Sequence, residues 1–304
     1  MTENEFKSFD QKRIFYREWE CGDPVGVVQI VHGMAESSAR YDRLARALNE
    51  RGIAVFCDDH RGHGETDGRS GYCEGDIFHD TLRDVALLTD IARKKYPVPL
   101  VLFGHSYGSF LTQSFLENYG EKIDGAIVGG SAYFHDLQVP VGRAVSSLAC
   151  LFGRKKKAAE LIAQASFGAY NKKFRTGTFI SSVEEECKIF EEHPDCNFTL
   201  SYGFYRSFFG GVSELYRKKN VSRLRRDIPI LLIAGEEDPV GGMGKLVKRL
   251  YRFYRDAGVG DLSLVLYPGV RHEYLNDVSR EKATEEIASF AERVFARNRG
   301  KADE

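Results

Sequence analysis

The chain has 304 residues, of which 42% are hydrophobic and 29% charged, a composition typical of a globular protein rather than a disordered one. Its 43 Lys and Arg residues nearly balance its 44 Asp and Glu residues, so the chain lacks the overall basic charge that attracts nucleic acid. The N-terminal residues show no secretory signal, and the longest apolar runs are too short to span a membrane. Six cysteines are scattered without a C-x-x-C pair or zinc spacing. We therefore expect a cytoplasmic protein with reduced thiols and without a metal, a transmembrane segment or a nucleic-acid partner.

Short apolar runs alternate with helix-length periodic segments along the chain. Strands are predicted at 12–20, 27–31, 53–58, 99–103, 124–128, 228–234 and 262–267. Helices are predicted at 37–51, 76–96, 106–119, 242–257 and 279–298. Several of the strands are continuous apolar runs, which is typical of a parallel sheet covered by helices on both faces. The pattern predicts an α/β fold with a mostly parallel central sheet.

The stretch 131–225 breaks this alternation, because it contains helix-like and irregular sequence but no convincing strand. It lies between two predicted strands, so we expect a core formed by 1–130 and 226–304 with 131–225 inserted into it. The insertion contains 15 Lys and Arg against 9 Asp and Glu, a net charge of +6, and the remainder of the chain carries −7. A balanced total therefore conceals a basic insertion on an acidic core.

The sequence Gly104-His105-Ser106-Tyr107-Gly108 is a G-x-S-x-G pattern between a predicted strand and a predicted helix. On such a sharp turn the central serine is exposed as a nucleophile, and the glycines Gly104 and Gly108 leave room for the strained backbone. This context predicts that Ser106 is catalytic. The alternative is a purely structural glycine turn.

A catalytic serine needs a general base, and the base needs an acid that orients it. In folds with this strand–turn–helix nucleophile the chain order is serine, acid, histidine. Of the three later histidines, His135 and His193 fall within the insertion, whereas His272 follows the last predicted strand. The acid is expected after the preceding strand, where Asp238 is preferred and Glu237 is the alternative. Taken singly, each of these residues is also compatible with a solvated loop.

An ester hydrolysed by a serine develops negative charge on oxygen, which backbone amides stabilise. One donor is expected from Tyr107, directly after the nucleophile, and the other from Met34 in the segment His32-Gly33-Met34-Ala35-Glu36. The small residues Gly33 and Ala35 let the backbone approach the oxyanion. The alternative here is a glycine turn that only precedes a helix.

A second glycine-rich loop, 59–66, follows another predicted strand. It matches neither a phosphate-binding loop nor a dinucleotide-binding pattern. Its two histidines lack the rigid spacing of a metal site. We interpret it as a structural turn near the site.

The sequences HGMAE, DDHRGHGET, GHSYGS, IAGEEDPV and RHEYLND together resemble the α/β-hydrolase superfamily, in particular its branch of monoglyceride lipases, lysophospholipases and serine aminopeptidases. The resemblance extends over about residues 25–295. It implies that Ser106 is the nucleophile, Asp238 the acid and His272 the base, with the amides of Met34 and Tyr107 at the oxyanion and no cofactor. It also implies that 131–225 is a helical cap over an acyl pocket. Monoglyceride lipases usually have His-Gly-small-Gly-Glu in the first loop, whereas this chain has Met and Ala at the third and fourth positions, a departure that bears on the shape of the acyl pocket.

The favoured function is hydrolysis of carboxylic esters of lipids, monoacylglycerol-like or lysophospholipid-like, through an acyl-enzyme on the serine. One alternative keeps the triad but acts as an aminopeptidase, in which the acids Glu184–Glu186, Glu191 and Glu192 hold the substrate amine, or as a small-ester or thioester esterase. The other is a non-catalytic binding protein.

One segment of the insertion, 139–157, has a pattern that is typical of contact with a lipid surface. Apolar residues recur at helical spacing in 139–152 and are followed by the basic residues 154–157, as in a helix that lies on an anionic lipid surface. The alternative is a lid helix whose apolar face roofs the pocket. Aromatic residues concentrated in 198–209 are expected either to line an acyl channel or to form the core of the cap.

Overall fold

A computed structural model describes residues 1–302, with side chains described as far as residue 298. Eight strands form one sheet in the order β1-β2-β4-β3-β5-β6-β7-β8. They are β1 (Thr2–Lys7), β2 (Arg13–Trp19), β3 (Gly26–Val31), β4 (Ile53–Asp58), β5 (Leu100–His105), β6 (Gly125–Gly129), β7 (Ile230–Gly235) and β8 (Leu262–Tyr267). The pairs β1–β2 and β2–β4 are antiparallel, and all other neighbours are parallel. The predicted mostly parallel sheet is confirmed.

Twelve α-helices lie within the described residues, and five of them cover the two faces of the sheet. The helices are α1 (Asp42–Asn49), α2 (Gly64–Asp67), α3 (Ile77–Lys95), α4 (Tyr107–Asn118), α5 (Gln138–Leu151), α6 (Glu160–Ala163), α7 (Ala169–Asn171), α8 (Glu184–Glu192), α9 (Tyr202–Val212), α10 (Lys218–Val221), α11 (Lys245–Asp256) and α12 (Arg280–Ala302). Helices α1 and α12 bury their apolar faces on one side of the sheet, and α3, α4 and α11 bury theirs on the other. The fully buried strands β3 to β7 therefore lie between two apolar layers, which explains their continuous apolar sequences.

The seven predicted strands are each present within two residues of their predicted bounds, but β1 was missed. This strand lies at the sheet edge, and only Asn4 and Phe6 are partly buried, so its sequence lacks a clear apolar face. The predicted helix 242–257 begins later, at Lys245, because Gly242, Met243 and Gly244 all have positive φ and form a turn.

The segment between β6 and β7 contains α5 to α10 and, among its described residues, no strand. Its helix α9 packs against α5 and α3 and lies on the nucleophile turn, where the rings of Phe204 and Phe208 contact Tyr107 at centroid distances of 5.1 and 5.9 Å. The division into a core of 1–130 and 226–304 and an insertion of 131–225 stays a prediction, and residues 303–304 of that core lie outside the described chain.

No helix in the described part of the chain combines the length and the apolar character that crossing a membrane requires.

Candidate active site

Ser106 stands on the sharp turn between β5 and α4, with φ +51° and ψ −115°. A non-glycine residue in this region costs on the order of 1–3 kcal/mol, so the surrounding structure must hold it. The Ser106 amide donates to the carbonyl of Gly129 on the neighbouring strand at 3.0 Å. The predicted glycines are both required by packing, since a Cβ at Gly104 would lie 2.2 Å from Thr112 Oγ1 and one at Gly108 would lie 1.9 Å from a backbone oxygen.

The structure brings Ser106, His272 and Asp238 into one hydrogen-bonded chain. Ser106 Oγ lies 2.8 Å from His272 Nε2, and His272 Nδ1 lies 3.0 Å from Asp238 Oδ2. Asp238 follows β7 and is fully buried, and its other oxygen accepts the amide of Val240 at 2.8 Å. The alternative acid, Glu237, is exposed. Parallel strands end at the same edge of a sheet, which is why residues so distant in sequence meet here.

His272 is buried, and its environment determines its basicity. Burial lowers the pKa of His272, but the charge and hydrogen bond of Asp238 outweigh this effect, so the pKa is raised above 6.5. The ring of His105 lies 4.9 Å from the His272 ring. Burial and the neighbouring His272 lower the pKa of His105 to about 3, so His105 remains uncharged and adds no positive charge beside His272.

The two predicted oxyanion donors, Tyr107 and Met34, lie on either side of Ser106. Tyr107 is the first residue of α4, where backbone amides have no partner within the helix. On the other side, Gly33 donates its amide to the Glu36 carboxylate, and Ala35 donates to His63 Nε2 at 3.1 Å. The Met34 amide between them has no hydrogen-bond acceptor among the described residues, so it is available to a ligand.

Ala35 adopts φ +54°, a conformation that favours glycine. This is the position at which monoglyceride lipases usually have glycine. An alanine in the left-handed region costs roughly 1–2 kcal/mol, so the contacts of this loop hold it against its own preference.

Sequence reasoning missed a buried ionic network behind the triad. Arg40 forms two hydrogen bonds with Glu273, at 2.6 and 2.7 Å, and one with Glu36 at 3.0 Å. Burial raises the pKa of Glu273, but Arg40 outweighs it and lowers the pKa to about 2, whereas burial raises the pKa of Glu36. Glu36 accepts the amide of Gly33 in the segment His32–Glu36, here called the oxyanion loop for its predicted donor Met34, and Glu273 directly follows His272. Arg40 therefore joins the two halves of the site. Glu36 lies in the motif HGMAE and Glu273 in RHEYLND. Their place in these two motifs was the only feature of the sequence that pointed to them.

Two pocket arms meet at Ser106 and Met34. The apolar arm is lined mainly by aromatic and aliphatic side chains, among them Tyr107, Phe110, Phe134, Ile162, Tyr205, Phe208 and Phe209. The polar arm is lined by Asn171, Thr178, Glu191 and Asn197 beside Phe179 and Phe198. The aromatic cluster of 198–209 thus divides: Tyr205, Phe208 and Phe209 line the apolar arm and Phe198 the polar arm, whereas Tyr202 and Phe204 are buried in the core.

The five glutamates considered for binding a substrate amine, Glu184–Glu186, Glu191 and Glu192, do not share one environment. Glu186 is buried and pairs with Arg43 and Arg280, each at 3.2 Å. Of the five, only Glu191 lines a pocket arm.

The loop 59–66 is held by its own polar groups. Asp59 accepts the amides of Ser38 at 2.7 Å and Glu65 at 2.8 Å, and Arg61 bonds the buried Asp84 at 2.6 Å. The described residues contain no cluster of three or more His, Cys, Asp or Glu side chains suited to a metal ion. None of the six cysteines forms a disulfide.

Comparison with known proteins agrees with this geometry. A family model described as serine aminopeptidase, S33, matches residues 22–279. A monoacylglycerol lipase of Mycolicibacterium smegmatis is 26% identical over 297 residues, which cover 95% of this chain and 96% of the relative. A human monoglyceride lipase is 39% identical over 101 residues, 33% of each chain. A thermostable carboxyl esterase from Bacillus coagulans, solved in complex with glycerol, has a TM-score of 0.87 at 27% identity, covering 97% of this chain and 98% of that one. The chain is therefore a hydrolase of the α/β-hydrolase superfamily and belongs to the family described as serine aminopeptidase, S33, in its monoglyceride lipase-like branch.

Proposed function

We propose that this chain is a serine hydrolase that cleaves carboxylic esters of lipids, monoacylglycerol-like or lysophospholipid-like, through an acyl-enzyme. The observation that carries the proposal is the Ser106–His272–Asp238 hydrogen-bonded chain at the point where an apolar and a polar arm meet. An ester bond at this point has its acyl chain in the apolar arm and its alcohol in the polar arm. The monoacylglycerol lipase name of a relative aligned over nearly the whole chain supports the same substrate class.

In the acylation step, Ser106 Oγ attacks the ester carbonyl while its proton passes to His272 Nε2. The carbonyl oxygen becomes an oxyanion and accepts hydrogen bonds from the amides of Met34 and Tyr107. Asp238 accepts a hydrogen bond from the Nδ1–H group of His272 and stabilises the imidazolium that forms. When the tetrahedral intermediate collapses, the bond to the alcohol breaks and His272 gives its proton to the leaving oxygen.

In the deacylation step, water occupies the place of the alcohol. His272 removes a proton from this water, which attacks the acyl carbonyl, and the same two amides stabilise the second oxyanion. Collapse returns the proton to Ser106 Oγ and releases the fatty acid. No metal or cofactor takes part in these steps.

Active-site labelling tests the chemistry. Wild-type protein is expected to react with a fluorophosphonate probe, and Ser106→Ala to lose labelling and to lower kcat by about 10⁶-fold. Ser289→Ala, which changes an exposed serine on α12, is the matched control and is expected to label like the wild type. Equal labelling of Ser106→Ala and wild type would overturn the assignment.

A substrate series tests the lipid class. We expect kcat/KM to rise from short-chain to long-chain p-nitrophenyl esters and to be substantial for monoacylglycerols or lysophosphatidylcholine. A preference for short chains alone would favour a small-ester esterase.

Aminopeptidase activity is the second candidate, because Glu191 lines the polar arm, where it could pair with a substrate ammonium. Glu191→Gln is then expected to lower kcat/KM for aminoacyl-naphthylamides and to leave p-nitrophenyl esters unaffected. Faster cleavage of aminoacyl amides than of lipid esters by the wild type would contradict the lipid proposal.

We also propose that the 131–225 insertion is a cap that touches anionic lipid surfaces through α5. Three residues of this helix and Phe152, directly after its last residue, form one apolar stripe and are 42–76% exposed: Val141, Val145, Leu148 and Phe152. The groove beside the stripe shares several lining residues with the apolar arm, among them Phe134, Ile162 and Phe209, so the stripe lies close to the apolar arm. Of the basic residues that follow α5, Lys155 and Lys156 pair with Glu74, whereas Arg154 and Lys157 are exposed and form no ion pair with the side chains that the structure describes. A cytoplasmic location stays a prediction.

Vesicle sedimentation separates the two contributions to this contact. A variant with Arg154→Gln and Lys157→Gln is expected to bind phosphatidylglycerol vesicles about 30-fold more weakly, from about 1 kcal/mol per basic residue, and less so at high salt. A Leu148→Ser and Phe152→Ser variant is expected to lose binding to neutral vesicles also. The control exchanges Lys218 and Lys219 of α10 for Gln. Equal binding by all variants would end the proposal.

A further inference from the structure

The glycine-rich loop 59–66 contacts the segment His32–Glu36 through two histidines. The His60 amide donates to His32 Nε2 at 3.0 Å and the two rings stack, whereas His63 contacts Ala35, next to the predicted oxyanion donor Met34. The amide of Ala35 donates to His63 Nε2 at 3.1 Å, and both residues are buried. On the other side of the ring, Nδ1 lies 3.1 Å from the carbonyl oxygen of Arg61. A carbonyl can only accept, so Nδ1 carries the proton and Nε2 is free to accept from Ala35. The backbone at both ends therefore fixes the tautomer of His63.

The surroundings of His63 keep the ring in this neutral form. Its neighbours are the rings of His32, Phe198 and Phe204, at centroid distances of 5.3, 5.4 and 5.8 Å. Burial, and to a smaller extent His60, lower the pKa of His63 to about 3. The acceptor at Nε2 is consequently present at every pH at which His272 can act as a base.

The bond matters because Ala35 is held in an unfavourable conformation beside the nucleophile. Its φ is +54°, and its carbonyl is held in turn by the amide of Asn197 from the segment between β6 and β7, at 3.0 Å. The same loop packs on the nucleophile, since a Cβ placed on Gly33 would lie 3.2 Å from the Cβ of Ser106. Rotation of the Ala35 peptide would therefore turn the adjacent Met34 peptide away from the reacting carbonyl.

We propose that His63 is a positioning residue for the oxyanion hole: its Nε2 holds the Ala35 amide and so orients the Met34 amide toward the developing oxyanion. This inference rests on the proposed function, because it takes Met34 as an oxyanion donor. It gives the loop 59–66 a role in the reaction beyond that of a turn.

Three substitutions at His63 separate positioning from packing. His63→Phe keeps a flat ring without an acceptor, His63→Gln keeps an acceptor of similar reach, and His63→Asn keeps an acceptor on a shorter side chain. The readouts are kcat and KM for p-nitrophenyl butyrate, the inhibition constant of a trifluoromethyl ketone that forms a tetrahedral oxyanion with Ser106, and the melting temperature.

We expect His63→Phe to lower kcat by about 10–100-fold, less than the loss of a whole oxyanion donor, with KM changed less than about two-fold. The trifluoromethyl ketone should weaken by the same factor as kcat, whereas a role in packing alone would leave its inhibition constant per folded enzyme unchanged. His63→Gln should recover most of both losses. If His63→Phe does not fold, His63→Gln against His63→Asn decides, with Asn expected to lose kcat and inhibitor binding together.

Equal kcat and inhibitor binding in the wild type and the acceptor-less variant would overturn the inference, as would equal losses for Gln and Asn. Failure of the proposed function is a different result, since wild-type protein would then not react with the fluorophosphonate probe.

Discussion

Arg40→Met is expected to destabilise the protein by about 3–5 kcal/mol, because it leaves two buried carboxylates without their cation. The Arg40 side chain is 5% exposed and those of Glu36 and Glu273 are 4% and 6% exposed, so water cannot replace the lost partner. At about 2.1 cal/mol/K of unfolding entropy per residue, this loss corresponds to a fall in Tm of about 5–8 °C for a chain of this length. Methionine retains much of the volume, so the effect reports on charge rather than on a cavity.

The destabilisation should depend on pH with a definite sign. In the wild type the depressed pKa of Glu273 contributes stability above the pKa of the unfolded chain, and this contribution is lost only as the pH falls toward about 2. In Arg40→Met, burial without a cation raises the pKa values of both glutamates above those of the unfolded chain. The variant therefore recovers stability as the pH falls, and the difference in Tm should be larger at pH 8 than at pH 5.

Thermal unfolding followed by circular dichroism at both pH values measures these differences. The matched control is Arg43→Met. Arg43 lies on α1, three residues after Arg40, and pairs with Glu186 at 3.2 Å, yet its own side chain is 49% exposed. Only the Arg43 side of this pair is exposed, but the buried Glu186 keeps a second cation, Arg280, at 3.2 Å. The control should therefore cost no more than about 1 kcal/mol and lower Tm by less than about 2 °C. A loss for Arg40→Met no larger than for Arg43→Met, or one that grows toward pH 5, would refute the reasoning.

Other consequences of the site can be measured in the same preparation. The acid limb of kcat/KM is expected at a higher pH than an ordinary histidine would give, because Asp238 raises the pKa of His272. Asp238→Asn should move this limb to lower pH and lower kcat by about 10⁴-fold, whereas the exposed Glu237→Gln should change neither the limb nor kcat. Movement of the limb in Glu237→Gln would contradict the assignment of the acid. Ala35→Gly removes a left-handed backbone strain of roughly 1–2 kcal/mol, and the greater entropy of glycine in the unfolded chain costs about 0.4–1 kcal/mol, so Tm should rise by about 1–2 °C. The control Ala45→Gly, in the interior of α1, should lower Tm. A fall in Tm for Ala35→Gly would show that the backbone there is not strained.

The grouping of the three predicted triad residues could be inferred from the sequence because each stands at a strand end within a short, readable pattern. Ser106 follows a continuous apolar strand, and the chain order of serine, acid and histidine leaves His272 as the base that follows the last strand. The preference for Asp238 over its neighbour Glu237 agrees with burial, which a sequence pattern cannot measure. The catalytic roles themselves remain to be tested by the variants above.

The features that the sequence did not predict depend on distant contacts or on local backbone conformation. Arg40 stands in a segment that reads as an ordinary charged helix face, and its burial depends on Glu273, 233 residues later in the chain. The bond from Ala35 to His63 links two loops that each resemble a simple turn. The strand β1 is an edge strand with little apolar sequence, so periodicity could not distinguish it from a loop.

The long segment between β6 and β7 determines how late in synthesis the candidate active site can assemble. The predicted nucleophile Ser106 directly follows β5, but the predicted acid and base follow β7 and β8. These strands can join the sheet only after the ribosome has added the hundred or so residues between β6 and β7. Pairing across so long a loop is slow relative to local helix formation. On the proposed mechanism, a nascent chain therefore carries Ser106 without its base and is inactive. Activity then begins only when the last strand has joined the sheet, so that the onset of esterase activity would report completed folding.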